Sequence, residues 1–297
     1  MAVGIGDLTR VALVFPGQGS HEDGMRGVVA EWRPSLLETL AEATESDCFA
    51  DAESSTAACQ PAIVAVSIAY WHALGRPTAG FVTGHSLGEL TALVAAGSLD
   101  EHDAVRLAAR RGALMQAASD EHPGCGMMAV KAQLDEIEAI AHECGVVVGN
   151  HNGRRQVVLS GGAEELERAR LRLREERVRC TVLRVAGAFH SPLMASAVEP
   201  FRAALREVRF REPRSVVFSG ISARPMTDPA SELADSLLHP VRWVETIEAI
   251  AGEGAERFVE VGPSQVLQRL VNAIVGSPEP KSDEDLTVHA RALLATR

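Results

Sequence analysis

One short stretch limits what this chain can fold into more than any other. "GHSLGEL", residues 84–90, sets a serine between two glycines, with the apolar run "AGFVTG" leading into it and "LGELTALVAAGSL" leading away. The first flank reads as a short buried strand, and the second as a Leu- and Ala-rich helix that stops near a glycine. A strand that turns directly into a helix holds the turn residue in a sharp conformation. Its hydroxyl stands above the sheet edge, and the following backbone N–H groups point to the same place. Gly84 and Gly88 relieve the crowding where strand and helix approach. Ser86 is therefore a candidate nucleophile. The competing reading is a serine that only caps a helix, and it is the flanks, more than the pattern itself, that weigh against it.

The rest of the chain supplies partners for such a strand. "RVALVFPGQGS" opens as a fully apolar strand and breaks at Pro16 and Gly17. Residues 34–47 and 101–118 read as helices, and "CQPAIVAVSIAYWHALG" as a buried helix with a proline near its start. Apolar strands separated by helices predict a parallel sheet. After "SDEHPGCG" the pattern changes. From "MMAV" to "CTVLRV" the order is strand, helix, strand, strand, helix, strand, which is the split arrangement of a small ferredoxin-like domain. The expected organisation is a discontinuous α/β domain of residues 1–124 and 188–297 with an inserted α+β subdomain of residues 125–187. The cleft between them is the natural ligand site. Near the end, "GSPEPKSDED" reads as flexible and "LTVHARALLA" as a segment that packs back on the surface.

Charge and special residues exclude several classes of function. Lys and Arg number 29 against 40 Asp and Glu, a formal net charge of −11, which argues against nonspecific attraction to nucleic acid or to an anionic membrane. A local basic patch facing an acidic protein is still compatible with it. The five cysteines form no C-x-x-C and the ten histidines no H-E-x-x-H, so reduced thiols in a cytoplasmic protein without a metal are expected. No stretch has the length and apolarity of a membrane span, and the first residues lack the features of a secretory signal.

A serine hydroxyl needs a base to become a nucleophile. His85 is adjacent to Ser86, but neighbouring side chains diverge on a sharp turn. His190 in "GAFHSPLM" is the better candidate, although the residues alone accommodate a structural histidine equally well. The loop "FPGQGS" exposes backbone N–H groups. One of them, with the N–H of Leu87, would form an oxyanion hole; a plain turn is the alternative. Neither G-x-G-x-x-G nor G-x-x-x-x-G-K-[ST] is present to suggest phosphate binding.

Taken together, "FPGQGS", "CQPAI", "GHSLGEL", "RGALM", "NHN", "GAFHSPLM", "HPVRW" and "EVGPSQVL" occur in an order and spacing that resembles the malonyl-CoA:acyl carrier protein transacylase family, which includes the acyltransferases of polyketide synthases. The resemblance spans residues 11–272. It implies a hydrolase-like parallel-sheet domain with the ferredoxin-like subdomain inserted. It also implies Ser86 as nucleophile, His190 as base, the N–H groups of Gln18 and Leu87 as oxyanion donors, and Arg111 as partner of the acyl carboxylate. Asn150 and Asn152 match polar residues near the site, and the backbone carbonyl of Ser236 matches the group that orients the histidine, where glutamine is common. Phe189 with Leu87 resembles members that take malonyl in preference to methylmalonyl. The implied substrates are malonyl-CoA and an acyl carrier protein, with no metal, redox cofactor or nucleotide, and the chain is expected to be a monomer. An editing hydrolase using the same residues, or a noncatalytic carrier-docking module, are the competing functions. Three positions depart from the family pattern besides Ser236: Gly220 stands where asparagine is usual, and Gly153 and Arg154 stand where a serine-proline pair is usual.

Overall fold

The structure, a computed structural model, describes residues 8–44 and 46–276. Its first part runs β1 (Val11–Phe15), α1 (Met25–Trp32), α2 (Ser35–Ala43), α3 (Thr56–Ala73), β2 (Phe81–Gly84), α4 (Gly88–Ala95) and α5 (Glu101–Asp120). The middle part is β3 (Gly126–Val130), α6 (Leu134–Cys144), β4 (Val147–Gly153), β5 (Gln156–Gly161), α7 (Ala163–Glu175) and β6 (Cys180–Val182). The chain then continues as α8 (Ala195–Glu207), β7 (Val216–Phe218), α9 (Pro229–Asp235), α10 (Trp243–Gly252), β8 (Arg257–Glu260) and α11 (Val266–Val275).

Four of these strands form a wholly parallel sheet in the order β7-β2-β1-β8. Every residue of β1 is buried, because helices cover both faces and a strand so placed can be apolar throughout. The register sets Phe15 beside Gly84, so the loop after β1 and the turn after β2 leave the sheet at the same edge. The His85 N–H donates to the Phe15 carbonyl at 3.0 Å and ties the two together.

The remaining strands form an antiparallel sheet in the order β4-β5-β3-β6. One face packs against α6 and α7 through Met128, Val130, Ile137, Leu159 and Leu173. The alternate residues Met127 and Val158 point the other way and line a cleft with residues of the parallel sheet's loops. Hydrogen bonds tie this second sheet to segments that flank the first. Val241, just ahead of α10, donates to the Gly149 carbonyl at 2.9 Å and accepts from the His151 N–H at 2.8 Å. The Ser160 hydroxyl donates to the Phe189 carbonyl at 2.5 Å.

Three elements differ from the sequence expectation. Residues 25–32 form a helix that the pattern "MRGVVAEW" did not signal, and the helix expected over 34–47 is α2, Ser35–Ala43. Pro61 lies inside α3 and not at its start. The helix begins at Thr56, where the Ser55 hydroxyl accepts the Ala58 N–H. A helix buried on nearly every side gains enough from packing to absorb the lost bond at an interior proline. Among the described residues, no helix is long and apolar enough to cross a membrane. The segment "LTVHARALLA" lies outside the described residues.

Candidate active site

Ser86 adopts a left-handed backbone conformation with φ of +54°. That conformation is costly for a residue with a side chain, and the surroundings enforce it. A Cβ on Gly84 would come within 1.9 Å of the Gly88 carbonyl carbon, and one on Gly88 within 2.1 Å of the Phe15 carbonyl oxygen. Only glycine fits on either side of the serine. The chain is thereby bent so that Ser86, Leu87 and the loop of residues 16–20 face one cleft that opens to solvent.

His190 also has a positive φ, +57°, and is buried in the wall of that cleft. Its Nδ1 lies 2.7 Å from the Ser236 carbonyl and 3.1 Å from the His239 carbonyl. Carbonyl oxygens only accept, so Nδ1 carries the proton and Nε2 carries the lone pair. Burial, with the Arg111 charge acting in the same direction, holds the His190 imidazolium down to about 3. The ring is a neutral acceptor at any ordinary pH.

Arg111 comes from the middle of α5 and is only 3% exposed, whereas its neighbour Arg110 is on the solvent face. Its Nη2 donates to the Ser86 Oγ and its Nη1 to the Gln60 Oε1, each at 3.0 Å. No carboxylate lies within ion-pairing distance of it among the described residues. Burial lowers the guanidinium to about 10, against an opposing attraction to Glu89. A buried cation with open donor capacity on a cleft is a recognition element for a planar anion.

Gln60 is the residue that sequence reasoning missed. It is fully buried, and its amide connects Arg111 to Gln18: Gln60 Nε2 donates to Gln18 Oε1 at 3.4 Å, and Gln18 Nε2 donates onward to the Thr56 hydroxyl at 3.1 Å. The available signal was its company, since a lone amide inside "AACQPAIVAVSIAYW" must be paired if that helix is buried. The backbone N–H groups of Gln18 and Leu87 donate to no carbonyl or side chain among the described residues.

Asn150 and Asn152, two apart on β4, both reach the cleft. The Asn152 Oδ1 accepts from the His85 Nε2 at 2.7 Å, while the Asn150 Oδ1 is buried without a hydrogen-bond partner among the described residues. His85 is partly buried, tilted against Trp243, and held below its ordinary pKa chiefly by desolvation. It is thus engaged away from Ser86, as expected for adjacent side chains on a sharp turn. Phe189 closes the cleft with Met115, Met127, Val158, Leu183 and Val185.

At the unusual positions, Gly220 offers its backbone N–H to the Glu89 carboxylate at 2.8 Å. The Arg154 guanidinium meets Glu248 at 2.6 Å and the Ile274 carbonyl at 3.4 Å. Arg154 therefore bridges the β4–β5 turn to α10 and to the end of α11.

A parallel-sheet elbow serine, a neutral histidine and a buried guanidinium around one cleft define a protein of the acyl-transfer class. The chain belongs to the acyl transferase domain family, whose model matches residues 12–289. It is 35% identical to the malonyl CoA-acyl carrier protein transacylase of Salmonella typhimurium, over 90% of this chain and 94% of that protein. It is 32% identical to the polyketide biosynthesis malonyl CoA-acyl carrier protein transacylase BaeC of Bacillus velezensis, over 91% and 98%. Among solved structures it is similar to the malonyl-CoA:acyl carrier protein transacylase of Xanthomonas oryzae pv. oryzae, with a TM-score of 0.84 and 34% identity, covering 97% of this chain and 98% of that one. The acyltransferase domain from the second module of the salinomycin polyketide synthase gives a TM-score of 0.80 at 34% identity, covering 91% of this chain and 67% of that one.

Proposed function

We propose that the protein transfers a malonyl group from malonyl-CoA, through an ester on Ser86, to the phosphopantetheine thiol of an acyl carrier protein, supplying fatty acid or polyketide synthesis. The observation that carries this reading is Arg111: a buried guanidinium, with no carboxylate within ion-pairing distance among the described residues, 3.0 Å from the serine oxygen. A substrate acyl group that ends in a carboxylate supplies the missing anion, and holding it there turns the thioester carbonyl toward Ser86.

The Ser86 oxygen accepts from Arg111, which leaves its own proton to donate. His190 Nε2 takes that proton as Oγ attacks the thioester carbon. The negative charge that develops on the carbonyl oxygen is met by the N–H groups of Gln18 and Leu87. Collapse breaks the carbon–sulfur bond, the CoA sulfur takes the proton from His190, and a malonyl ester remains on Ser86. The carrier thiol then repeats the sequence in reverse and regenerates the hydroxyl. Both the bond broken and the bond formed are thioesters, so this sequence asks for no oxidant, nucleotide or metal.

Phe189 fills the space beside the acyl group that an α-methyl would need, so malonyl is preferred over methylmalonyl. One methyl is worth only about 1–3 kcal/mol, and the preference is correspondingly leaky. Nucleophile, base and arginine all come from one copy of the chain, which is consistent with action as a monomer. Five cysteines, all unpaired, fit the cytoplasm.

The test is an intact-mass measurement. Wild-type protein mixed with malonyl-CoA gains one malonyl group with release of one CoA, and adding carrier protein moves the group to the carrier. Ser86→Ala folds and gains nothing. Free malonate in place of malonyl-carrier would identify an editing hydrolase. Absence of any acyl-enzyme in the wild type would overturn the covalent reading.

A further inference from the structure

Glu89 is a buried carboxylate three residues after the nucleophile, and the acyl-transfer steps above make no use of it. It lies in the first turn of α4 and is 1% exposed. Its Oε1 accepts the Gly220 N–H at 2.8 Å. From there a path can be followed in which hydrogen bonds alternate with short stretches of backbone. The Gly220 carbonyl accepts the Arg242 N–H at 2.7 Å, and the adjoining Val241 pairs with Gly149 and His151 of β4. The same strand carries Asn150 and Asn152, and the Asn152 amide returns to His85 at 2.7 Å. The path begins and ends on the turn that bears Ser86, with one anchor immediately before the serine and one three residues after it.

We propose that Glu89 is a positioning residue for the transfer: by holding the Gly220 N–H it closes this ring and fixes the Ser86 turn against β4, the strand that supplies the opposite wall of the acyl cleft. The proposal rests on the covalent Ser86 reading given above. Two elements from different sheets must meet across the cleft to within a fraction of an ångström for attack to be productive, and a misplacement of about 1 Å costs on the order of 100-fold in rate. His85 holds the start of the turn, through its N–H on the Phe15 carbonyl and its ring on Asn152. Glu89 adds an anchor on the far side of Ser86. The role falls to the backbone of residue 220 and not to its being glycine. A Cβ there would meet Glu89, Gly84 and Val241 only at ordinary contact distances of 3.6–3.8 Å, so the glycine is not needed for space, and its backbone N–H is what reaches the carboxylate.

Reach and charge can be separated by two conservative changes. Glu89→Gln keeps the length and the acceptor oxygen but cannot ionise. Glu89→Asp keeps the ionisable carboxyl but is one methylene too short to reach Gly220. Both proteins, and the wild type, are assayed for kcat and KM of Ser86 acylation by malonyl-CoA under single-turnover and steady-state conditions, and for hydrogen exchange at the Gly220 amide. The expected result is that Glu89→Gln retains kcat within about threefold and keeps Gly220 protected. Glu89→Asp loses kcat by about 10- to 100-fold with KM changed less than about threefold, and Gly220 exchanges faster. A loss in Glu89→Gln with Glu89→Asp intact would assign Glu89 an electrostatic role and overturn the proposal. Equal losses in both, or wild-type kcat in a folded Glu89→Asp protein, would overturn it as well. Failure of the covalent reading is distinct, because it removes acylation from the wild type itself.

Discussion

Arg111 and Ser86 are joined by a hydrogen bond of 3.0 Å between guanidinium and hydroxyl, so the group that would recognise the acyl carboxylate also touches the group that would attack. The same charge depresses the basicity of His190. A carboxylate arriving at Arg111 would offset that charge, and the base would strengthen at the moment substrate binds.

Arg111→Ala is accordingly expected to lower malonyl-CoA kcat/KM by tens of fold or more, in line with about 2–5 kcal/mol for a buried charged partner. Acetyl-CoA has no carboxylate to lose, and its transfer should stay level or rise. Arg111→Lys should recover only part of the malonyl activity, because it lacks the planar fork. The measurement is kcat/KM for both thioesters with one carrier protein. Equal losses for the two would remove Arg111 from acyl recognition.

For His190, the ionisation depressed to about 3 has a direct consequence in acid. The unfolded chain protonates this histidine near 6.5 while the folded protein does not. Stability associated with the neutral ring is present above the unfolded value and is lost progressively as pH falls toward about 3. His190→Gln can still donate to the Ser236 carbonyl but does not titrate. Its thermal midpoint should therefore fall less steeply than that of wild type between pH 7 and pH 4.5, while its acylation rate falls strongly. Parallel midpoint curves would show that the histidine titrates normally in the fold.

Gln60→Leu preserves much of the side-chain volume but leaves Arg111 Nη1 and the Gln18 amide without their shared partner. The expected cost is about 1–3 kcal/mol in urea unfolding, with a reduced ratio of malonyl to acetyl transfer. An unchanged ratio in a destabilised protein would limit Gln60 to a structural role.

Gly84→Ala puts a methyl group against immovable backbone at 1.9 Å, whereas Gly153→Ala meets its nearest neighbour, Gln156 Cβ, at 3.5 Å. The first should lose at least about 2 kcal/mol or fail to accumulate, and the second should stay within about 0.5 kcal/mol of wild type by the same unfolding measurement. Comparable stabilities would mean that the Ser86 turn can relax without its glycines.

The local order of strand, turn and helix around Ser86 was legible because it depends on neighbours in the chain: apolar runs of set length, glycines where backbones collide, and periodicity that changes from strand to helix. The split pattern from "MMAV" to "CTVLRV" is local in the same sense and corresponds to the second sheet. From their own local pattern Arg111 and His190 were legible as residues, and only the family resemblance implied them as a site. Nothing within "RGALM" tells whether Arg111 or Arg110 turns inward; that depends on which face of α5 meets α3. Gln60 was passed over because its partners, Gln18 and Arg111, lie 42 and 51 residues away. The tautomer of His190 is set by carbonyls of Ser236 and His239, and carbonyls are common to all residues, so no side chain advertises them. By itself the sequence determined which segments become strands, turns and helices, and which residue types are available for chemistry. The tertiary structure alone decided which of them face one cleft, and with what charge, because burial and hydrogen bonding between distant segments are what remove water and shift ionisation.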